Sequence, residues 1–318
     1  MAPILKPTKS NIKKAAHALL GGSLIGIPTE TVYGLAADAE NHKAIARLYQ
    51  VKARPLNHPI IVHIGSAHQL EKWAIEIPDY ALKLANKFWP GPLTLVLKKS
   101  MIASDYLTGG QDSIAVRIPN HPAAISLLKE FHNLGGNGIA APSANKFGEV
   151  SPTDARSVVQ ALGANLRNEI IIDGGMSTIG IESTIINCLS KEPEILRHGA
   201  VTSLQILNEL GIKVNPQVKN TKLRFSGNLK KHYAPIVRII LDGNPQFGDG
   251  YLALSSFNTP EGCIRIASPQ DSFDFAKFLY FSFRKADQLG LERLFVKLPQ
   301  GEGIELAIRD RVLKAAIK

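Results

Sequence analysis

Residues 52–64 read Lys-Ala-Arg-Pro-Leu-Asn-His-Pro-Ile-Ile-Val-His-Ile. Two cations, Lys52 and Arg54, stand one residue apart, and Pro55 follows them. Pro59 leads into Ile60-Ile61-Val62, an apolar run that reads as a buried strand. In an extended chain residues two apart point to the same side, so Lys52 and Arg54 are expected to face one anion together. Pro55 pushes Arg54 itself toward extended geometry. A Lys-x-Arg pair standing alone is usually a solvated loop, so its meaning depends on the segments around it.

Outward from this stretch, short apolar strands alternate with helices between Leu24 and Ile186. The strands are expected at Leu24–Ile27, Ile60–Ile64, Leu93–Leu97, Ser113–Ile118, Ile139–Ala141, Ile170–Ile172 and Thr184–Asn187. Ser113–Ile118 alternates, with Ile114, Val116 and Ile118 on one face and Ser113, Ala115 and Arg117 on the other. Helices fit Asn11–Leu20, His42–Gln50 capped by Asn41, Pro78–Phe88, Pro122–His132 and Thr153–Leu162 capped by Thr153. Trp89-Pro-Gly-Pro92 is a firm break. The pattern predicts an α/β or α+β domain around a mixed sheet.

A helix at Ser203–Leu210 closes this region at Gly211. From Lys213 to Arg238 there are seven basic residues and no acidic one, punctuated by proline, asparagine and glycine. This reads as a linker. Beyond it, strands at Val237–Leu241, Tyr251–Ser255, Cys263–Ile266 and Arg293–Leu298 and helices at Phe273–Leu289 and Gly303–Ile317 predict a small α/β domain. The expected division is therefore 1–211, a linker or lid at 212–235, and 236–318. A length of 318 residues agrees with two domains.

Hydrophobic residues make up 45% and aromatics 7%, ordinary for a soluble globular protein. Cys188 and Cys263 lie far apart and no close ligand spacing occurs, which argues against a disulfide framework or a structural zinc site. Gly21-Gly22 splits the one N-terminal apolar run that could imitate a signal peptide, and no run approaches a membrane span. A cytoplasmic protein without membrane contact is expected. The net charge of +10 points to a polyanionic partner: nucleotide, RNA or acidic lipid. There is no arginine-rich tract and no aromatic-studded RNA-binding pattern.

The usual nucleotide signatures are missing. Gly136-Asn-Gly138-Ile-Ala-Ala141 fits a dinucleotide fingerprint only on paper, since it precedes a strand and runs into Pro142. Four other segments stand out. Ile27-Pro-Thr-Glu-Thr-Val-Tyr-Gly-Leu35 leaves a strand into a turn where Thr29, Thr31 and Tyr33 offer hydroxyls. Ala140-Ala-Pro-Ser-Ala-Asn145, followed by Ser151-Pro-Thr153, lets a ligand approach the backbone, with Ser143, Asn145 and Ser151 able to bond phosphate or ribose oxygens. Gly180-Ile-Glu-Ser-Thr184 and Leu196-Arg-His-Gly199 complete the set. Each borders a predicted strand, where α/β sheets present ligand sites. Lys52, Arg54, Arg117 and Arg197 carry more positive charge than one carboxylate needs. A triphosphate plus a carboxylate-bearing second substrate would use all four.

At these residues the sequence resembles the threonylcarbamoyl-adenylate synthases, the YrdC-like enzymes of tRNA modification. The resemblance is carried by Pro-Thr-Glu-Thr-Val-Tyr-Gly-Leu35, the Lys52-x-Arg54-Pro stretch, Trp89-Pro-Gly-Pro-Leu-Thr94, Ile114-Ala-Val-Arg117, Ala141-Pro-Ser-Ala-Asn145, Ser151-Pro-Thr153, Ile171-Ile-Asp-Gly-Gly175, Gly180-Ile-Glu-Ser-Thr-Ile185 and His232-Tyr-Ala-Pro235, in the family's order. It covers residues 10–200 densely, and the remainder resembles the long form of the family. It implies a YrdC-like twisted mixed sheet with flanking helices, plus a small Rossmann-like C-terminal domain. It also implies a nucleotidyltransferase that joins L-threonine, bicarbonate or CO2 and ATP into L-threonylcarbamoyl-AMP and pyrophosphate. A partner complex then transfers the threonylcarbamoyl group to a tRNA adenosine beside the anticodon. Magnesium accompanies the ATP, and no protein metal ligand is implied.

By position, the resemblance assigns Lys52 and Arg54 to the ATP phosphates and to catalysis. Ser113, Ser143, Asn145, Ser151 and Arg197 complete the nucleotide site. Thr31, His63, Arg117 and Ser183, with backbone near Ala141, would hold threonine, Arg117 by a bidentate grip on its carboxylate. His58 stands where many members have asparagine, and Lys230 where many have an aromatic, so a nucleotide contact at His58 and an ionic one at Lys230 are the expectations. Ser226–Tyr233 is expected to fold over the nucleotide as a lid whose lysines face the triphosphate. No strong general base is evident. The basic balance allows for a weak contact with tRNA. A related carbamoyltransferase of hydrogenase maturation would carry zinc-binding cysteine clusters, which two distant cysteines do not provide. A non-enzymatic RNA-binding module is the other rival.

Overall fold

The computed structural model describes residues 2–212, 214 and 223–317. In chain order it runs β1 (Ile4–Leu5), α1 (Lys9–Leu20), β2 (Ile25–Ile27), β3 (Gly34–Asp38), α2 (His42–Lys52) and β4 (Ile61–His63). Then come α3 (Leu70–Trp73), β5 (Ala74–Ile75), α4 (Asp79–Phe88), β6 (Leu93–Lys99), α5 (Asp105–Thr108) and β7 (Ser113–Arg117). The first unit ends with α6 (Pro122–Asn133), β8 (Ile139–Ala140), α7 (Ala155–Leu162), β9 (Ile171–Ile172), β10 (Thr184–Asn187), β11 (Glu194–Arg197) and α8 (Ser203–Leu210). The second unit holds β12 (Arg238–Ile240), β13 (Gly250–Leu252), β14 (Ile264–Ala267), α9 (Ser272–Gln288), β15 (Arg293–Val296) and α10 (Ile304–Ala316).

The first sheet is mixed, in the order β1-β9-β2-β3-β8-β4-β7-β6-β10-β11, with β5 beside β6. The second is a parallel sheet in the order β12-β15-β13-β14. The expected α/β architecture is thus the observed one. β3 was not foreseen. Its Gly-Leu-Ala-Ala-Asp is buried at every position, so it shows no alternation to read. The cap of α7 is Asp154, which accepts from Ser157 N, and not the expected Thr153. Asn41 caps α2 as anticipated, accepting from Lys43 N and Ala44 N.

Apolar faces build the core. Val62, Ile114, Val116, Leu95 and Trp73 are buried together beneath the first sheet. In the second unit Phe275, Leu279, Phe283, Leu294, Ile308 and Val312 pack α9 and α10 onto the sheet. That cluster also takes in Val32, Val150 and Ile181 of the first unit and Tyr233 of the connecting segment. Burying such side chains contributes about 1.5–3 kcal/mol each, so the two units share a core and are not merely tethered. Residues 213 and 215–222 of the expected linker lie outside the described residues. The described remainder is pinned. Arg224 donates through Nε to Asn57 O (2.9 Å) and through Nη2 to Gly109 O (2.7 Å), while Ala234 N donates to Gly148 O (3.0 Å). Among the described residues no helix is long and apolar enough to cross a membrane.

Candidate active site

Strand alternation shapes the floor of the main cleft. On parallel β4 and β7, Val62 and Val116 pair and point into the core. Their neighbours His63 and Arg117 pair on the opposite face and line the cleft. Ile61 and Ala141 extend that floor. The walls come from four loops: Thr29–Thr31 after β2, the end of α2 through Arg54, Ser143–Gly148 after β8, and Glu182–Ser183 before β10. Arg197 at the end of β11 and Ser226, Gly227, His232 and Tyr233 of the connecting segment close it. With that segment in place the enclosed cavity is about 60 Å³, well below the size of a drug-sized ligand site.

Lys52 and Arg54 meet here, but not through extended chain. Lys52 is the last residue of α2, and Ala53 caps the helix in the left-handed region at φ 48°. The reversal at Ala53, not period-two geometry, turns both side chains into the cleft. The Lys52 ammonium is buried and donates to the carbonyls of Ser143 and Asn145. Burial lowers its pKa well below the ordinary value, and the Arg54 charge adds to this. Arg54 donates through Nη2 to Pro59 O (2.7 Å) and Ser226 Oγ (3.3 Å), through Nε to His58 O (3.2 Å), and lies over the Phe147 ring. Arg197 donates to Ser183 O (3.0 Å), Ser183 Oγ (3.1 Å) and Ser226 O (2.9 Å). Burial brings Arg54 down to about 10 and also lowers Arg197, which leaves Arg54 charged at neutral pH. Three buried cations thus crowd one side of the cleft, an arrangement that a polyphosphate would relieve.

Arg117 lies on the other side with its fork already engaged. Nε donates to Gly91 O (3.1 Å) and Nη1 to Thr31 Oγ1 (2.9 Å). Nη2 meets Glu30 Oε1 at 2.6 Å, a buried ion pair off the ideal hydrogen-bond line. Glu30 was absent from the expected site, and it corrects the picture of a fork free to grip a carboxylate on both arms. His63 Nδ1, Asn145 Oδ1 and Tyr233 Oη line the same cleft and find no hydrogen-bond partner among the described residues. Buried polar atoms are rarely left unpaired, so these three mark where a polar ligand belongs.

Residues 17–199 match the family model described as "Telomere recombination", and residues 197–317 the one described as "Threonylcarbamoyl-AMP synthase, C-terminal domain". The threonylcarbamoyl-AMP synthase of Pyrococcus abyssi is 35% identical over 96% of this chain and 94% of its own length. The chain belongs to the threonylcarbamoyl-AMP synthase family. The Bacillus subtilis relative of the same name is 34% identical over 98% of this chain and 94% of its own. The crystal structure of Pyrococcus abyssi Sua5 complexed with L-threonine matches with a TM-score of 0.88 at 32% identity, covering 99% of this chain and 97% of that one.

Of the residues that resemblance to the synthases singled out, Lys52, Arg54, Ser143, Asn145 and Arg197 line the cleft, as do Thr31, His63, Arg117, Ala141 and Ser183. Four others do not. Ser113 shares the face of Arg117 but lies four residues back along β7, about 13 Å away at strand spacing, beside Phe225 and Ser226. Ser151 is buried with its hydroxyl given to Glu182 Oε1 (2.6 Å). His58 packs its ring on Phe147 and serves Arg54 through its carbonyl. Lys230 is exposed with Lys231, and neither lines the cleft. The segment covers the site through Ser226, Gly227, His232 and Tyr233 instead, Tyr233 at φ 61°. Glu182 and Phe147 are lining residues that a sequence reading confined to cations and hydroxyls did not assign a role, while Tyr233 lines the cleft as the last residue of the expected lid.

Burial makes the synthase-family chain acid-sensitive. His63 is pushed down to about 3 by burial and the Arg117 charge. His232 is pushed down to about 3 by burial and by Arg54, Arg197 and Lys314, against the opposite pull of Glu182. An unfolded histidine titrates near 6.5. Both therefore contribute stability in full above about pH 6.5, and it is lost as pH falls from there toward 3, because the unfolded chain takes protons that the fold refuses. The expected slope is about 1.4 kcal/mol per pH unit for each histidine. Urea unfolding between pH 7 and pH 5 checks this. Replacing both histidines with glutamine should flatten the slope, and an unchanged slope would refute the assignment.

Proposed function

We propose that this chain is an L-threonylcarbamoyladenylate synthase, a nucleotidyltransferase that joins L-threonine, bicarbonate or CO2 and ATP and releases pyrophosphate. The observation that carries this reading is the cleft itself, where three buried cations face one wall and Arg117, His63 and Thr31 line another. The P. abyssi complex with L-threonine supports the amino-acid half. Lys52, Arg54 and Arg197, with Ser143 and Asn145, hold the triphosphate. Thr31, His63, Arg117, Ala141 and Ser183 hold threonine.

The threonine amine adds to CO2 to give a carbamate, losing one proton. A carbamate oxygen then attacks the α-phosphorus, and the bond to the departing pyrophosphate breaks. Lys52 and Arg54 stabilise the charge that develops on the leaving phosphates. His63, kept neutral, presents Nδ1 as an acceptor to the substrate amine. Among the described residues the carboxylate in the lining is Glu182, which is paired with Arg311, so magnesium would arrive bound to the ATP phosphates and neutralise part of their charge there. The adenylate would pass in the cytoplasm to a threonylcarbamoyl transferase complex that modifies the tRNA adenosine beside the anticodon, with at most weak tRNA contact by this chain.

Purified protein is expected to release pyrophosphate from ATP only when threonine and bicarbonate are both present. Serine should be poorer by about 10–200-fold, the value of one missing methyl in a pocket. Equal release without threonine would replace this reading with a general ATPase.

A further inference from the structure

The buried charge cluster behind the cleft has no part in the steps above. Glu182 lines the site, and its carboxylate accepts from Ser151 Oγ (2.6 Å), Tyr280 Oη (2.9 Å) and Arg311 Nε (3.0 Å). Tyr280 and Arg311 belong to α9 and α10 of the C-terminal unit. Arg311 is fully buried, and its Nη1 donates to Asp310 Oδ2 (2.8 Å). Its Nη2 reaches Glu182 O (3.4 Å) and His198 O (2.9 Å). One guanidinium thus ties together the carbonyls of residues 182 and 198. The next residue inward on each side is Ser183 and Arg197, the pair joined by two hydrogen bonds on the phosphate side of the cleft.

The same helix holds the covering segment. Lys314 Nζ donates to Gly227 O (2.8 Å), and Lys314 O accepts from His232 N (3.3 Å). Arg311 lies 5.4 Å from the centre of the Tyr233 ring, which stacks on Tyr280. The groups facing Glu182 are therefore Arg311, Arg197, Tyr280, Tyr233, His232 and Ser151, with Asp310 and Lys314 behind them. Burial alone would raise the Glu182 carboxyl. The Arg311 and Arg197 charges and the Ser151 hydroxyl outweigh it and hold the group below the usual carboxylate range.

We propose that Arg311 is a positioning residue for ATP. From the C-terminal unit it neutralises Glu182, so that Arg197 faces the phosphates and does not turn to that carboxylate, and it fixes the strand ends that carry Ser183 and Arg197. Without Arg311, Glu182 would keep only the Ser151 and Tyr280 hydroxyls, and its charge would stand uncompensated in a dry site beside a polyanion, with Arg197 as the other cation acting on it. The proposal rests on the synthase reading for the identity of the nucleotide.

The experiment uses the full chain and compares Arg311→Met, Arg311→Lys and the double variant Glu182→Gln/Arg311→Met. ATP and threonine are titrated separately by calorimetry, and pyrophosphate release gives KM and kcat. Arg311→Met is expected to weaken ATP binding by about tenfold or more while threonine affinity moves by less than about twofold. The double variant should recover most of the loss, because the unpaired carboxylate has gone, and Arg311→Lys should fall between. Activity of Arg311→Met should drop at high pH, where Glu182 ionises, and the double variant should lose that dependence. Unchanged ATP affinity in Arg311→Met would overturn the proposal. So would an equal loss for both ligands, or a double variant no better than the single. If Arg311→Met does not fold, the double variant and Arg311→Lys decide by the same comparison. Failure of the wild type to release pyrophosphate would remove the synthase reading, and the ATP titrations would still decide the role of Arg311.

Discussion

Lys52→Ala and Arg54→Ala are each expected to lower turnover by about two orders of magnitude, the usual cost of removing a preorganised electrostatic stabiliser. Their geometry says why neither can be replaced by a mobile surface cation. Lys52 is buried at the end of a helix and held by the carbonyls of Ser143 and Asn145. It therefore both places a charge in the cleft and fixes the turn that presents Asn145. Arg54 is held by His58 O, Pro59 O and Ser226 Oγ and packed on Phe147. Lys52→Ala strips two buried carbonyls of their donor and should weaken ATP binding as well as kcat. Arg54→Lys keeps a charge but loses the planar fork, and should recover only part of the loss. Pyrophosphate release under saturating substrates is the measurement. Activity of either alanine variant within about tenfold of wild type would mean that the charge acts elsewhere.

Arg117→Met is expected to cost about 3–5 kcal/mol of stability, because it leaves Glu30 buried without its cation. The Glu30→Gln/Arg117→Met double variant should be far less destabilised, since the unpaired charge has been removed with its partner. In both, the threonine requirement should rise while ATP affinity stays close to wild type. Urea unfolding reads the first effect and separate substrate titrations the second. If Arg117→Met altered ATP affinity and spared threonine, the carboxylate side of the cleft would be wrongly assigned. A single variant no less stable than the double would mean that Glu30 is not held by Arg117.

Much of the arrangement was legible in the chain before any coordinates. Alternation in residues 113–118 already separated Val116 from Arg117, because a strand cannot bury one neighbour without turning the other outward. The prolines and glycines around residues 89–92 and 211 marked real boundaries. The motif segments near strand ends did come together on one cleft. What misled was local geometry inferred from spacing. Lys52 and Arg54 converge through a left-handed Ala53, which no propensity favours at an alanine. Ser113 shares the face of Arg117 and stands at the far end of the same strand, beside Ser226.

By itself the sequence determined the α/β alternation and the identity of the cations and hydroxyls around the cleft, since each follows from periodicity, turn chemistry or residue type within a short window. Only the tertiary structure decided which charges meet. Glu30 opposes Arg117 from a distant part of the chain, and Glu182 opposes Arg311 at a separation of 129. The covering segment presents His232 and Tyr233 inward and leaves Lys230 in water. The reason is physical: partner choice for a buried charge depends on who shares its dry volume, and that is set by how the two units pack, not by any local pattern.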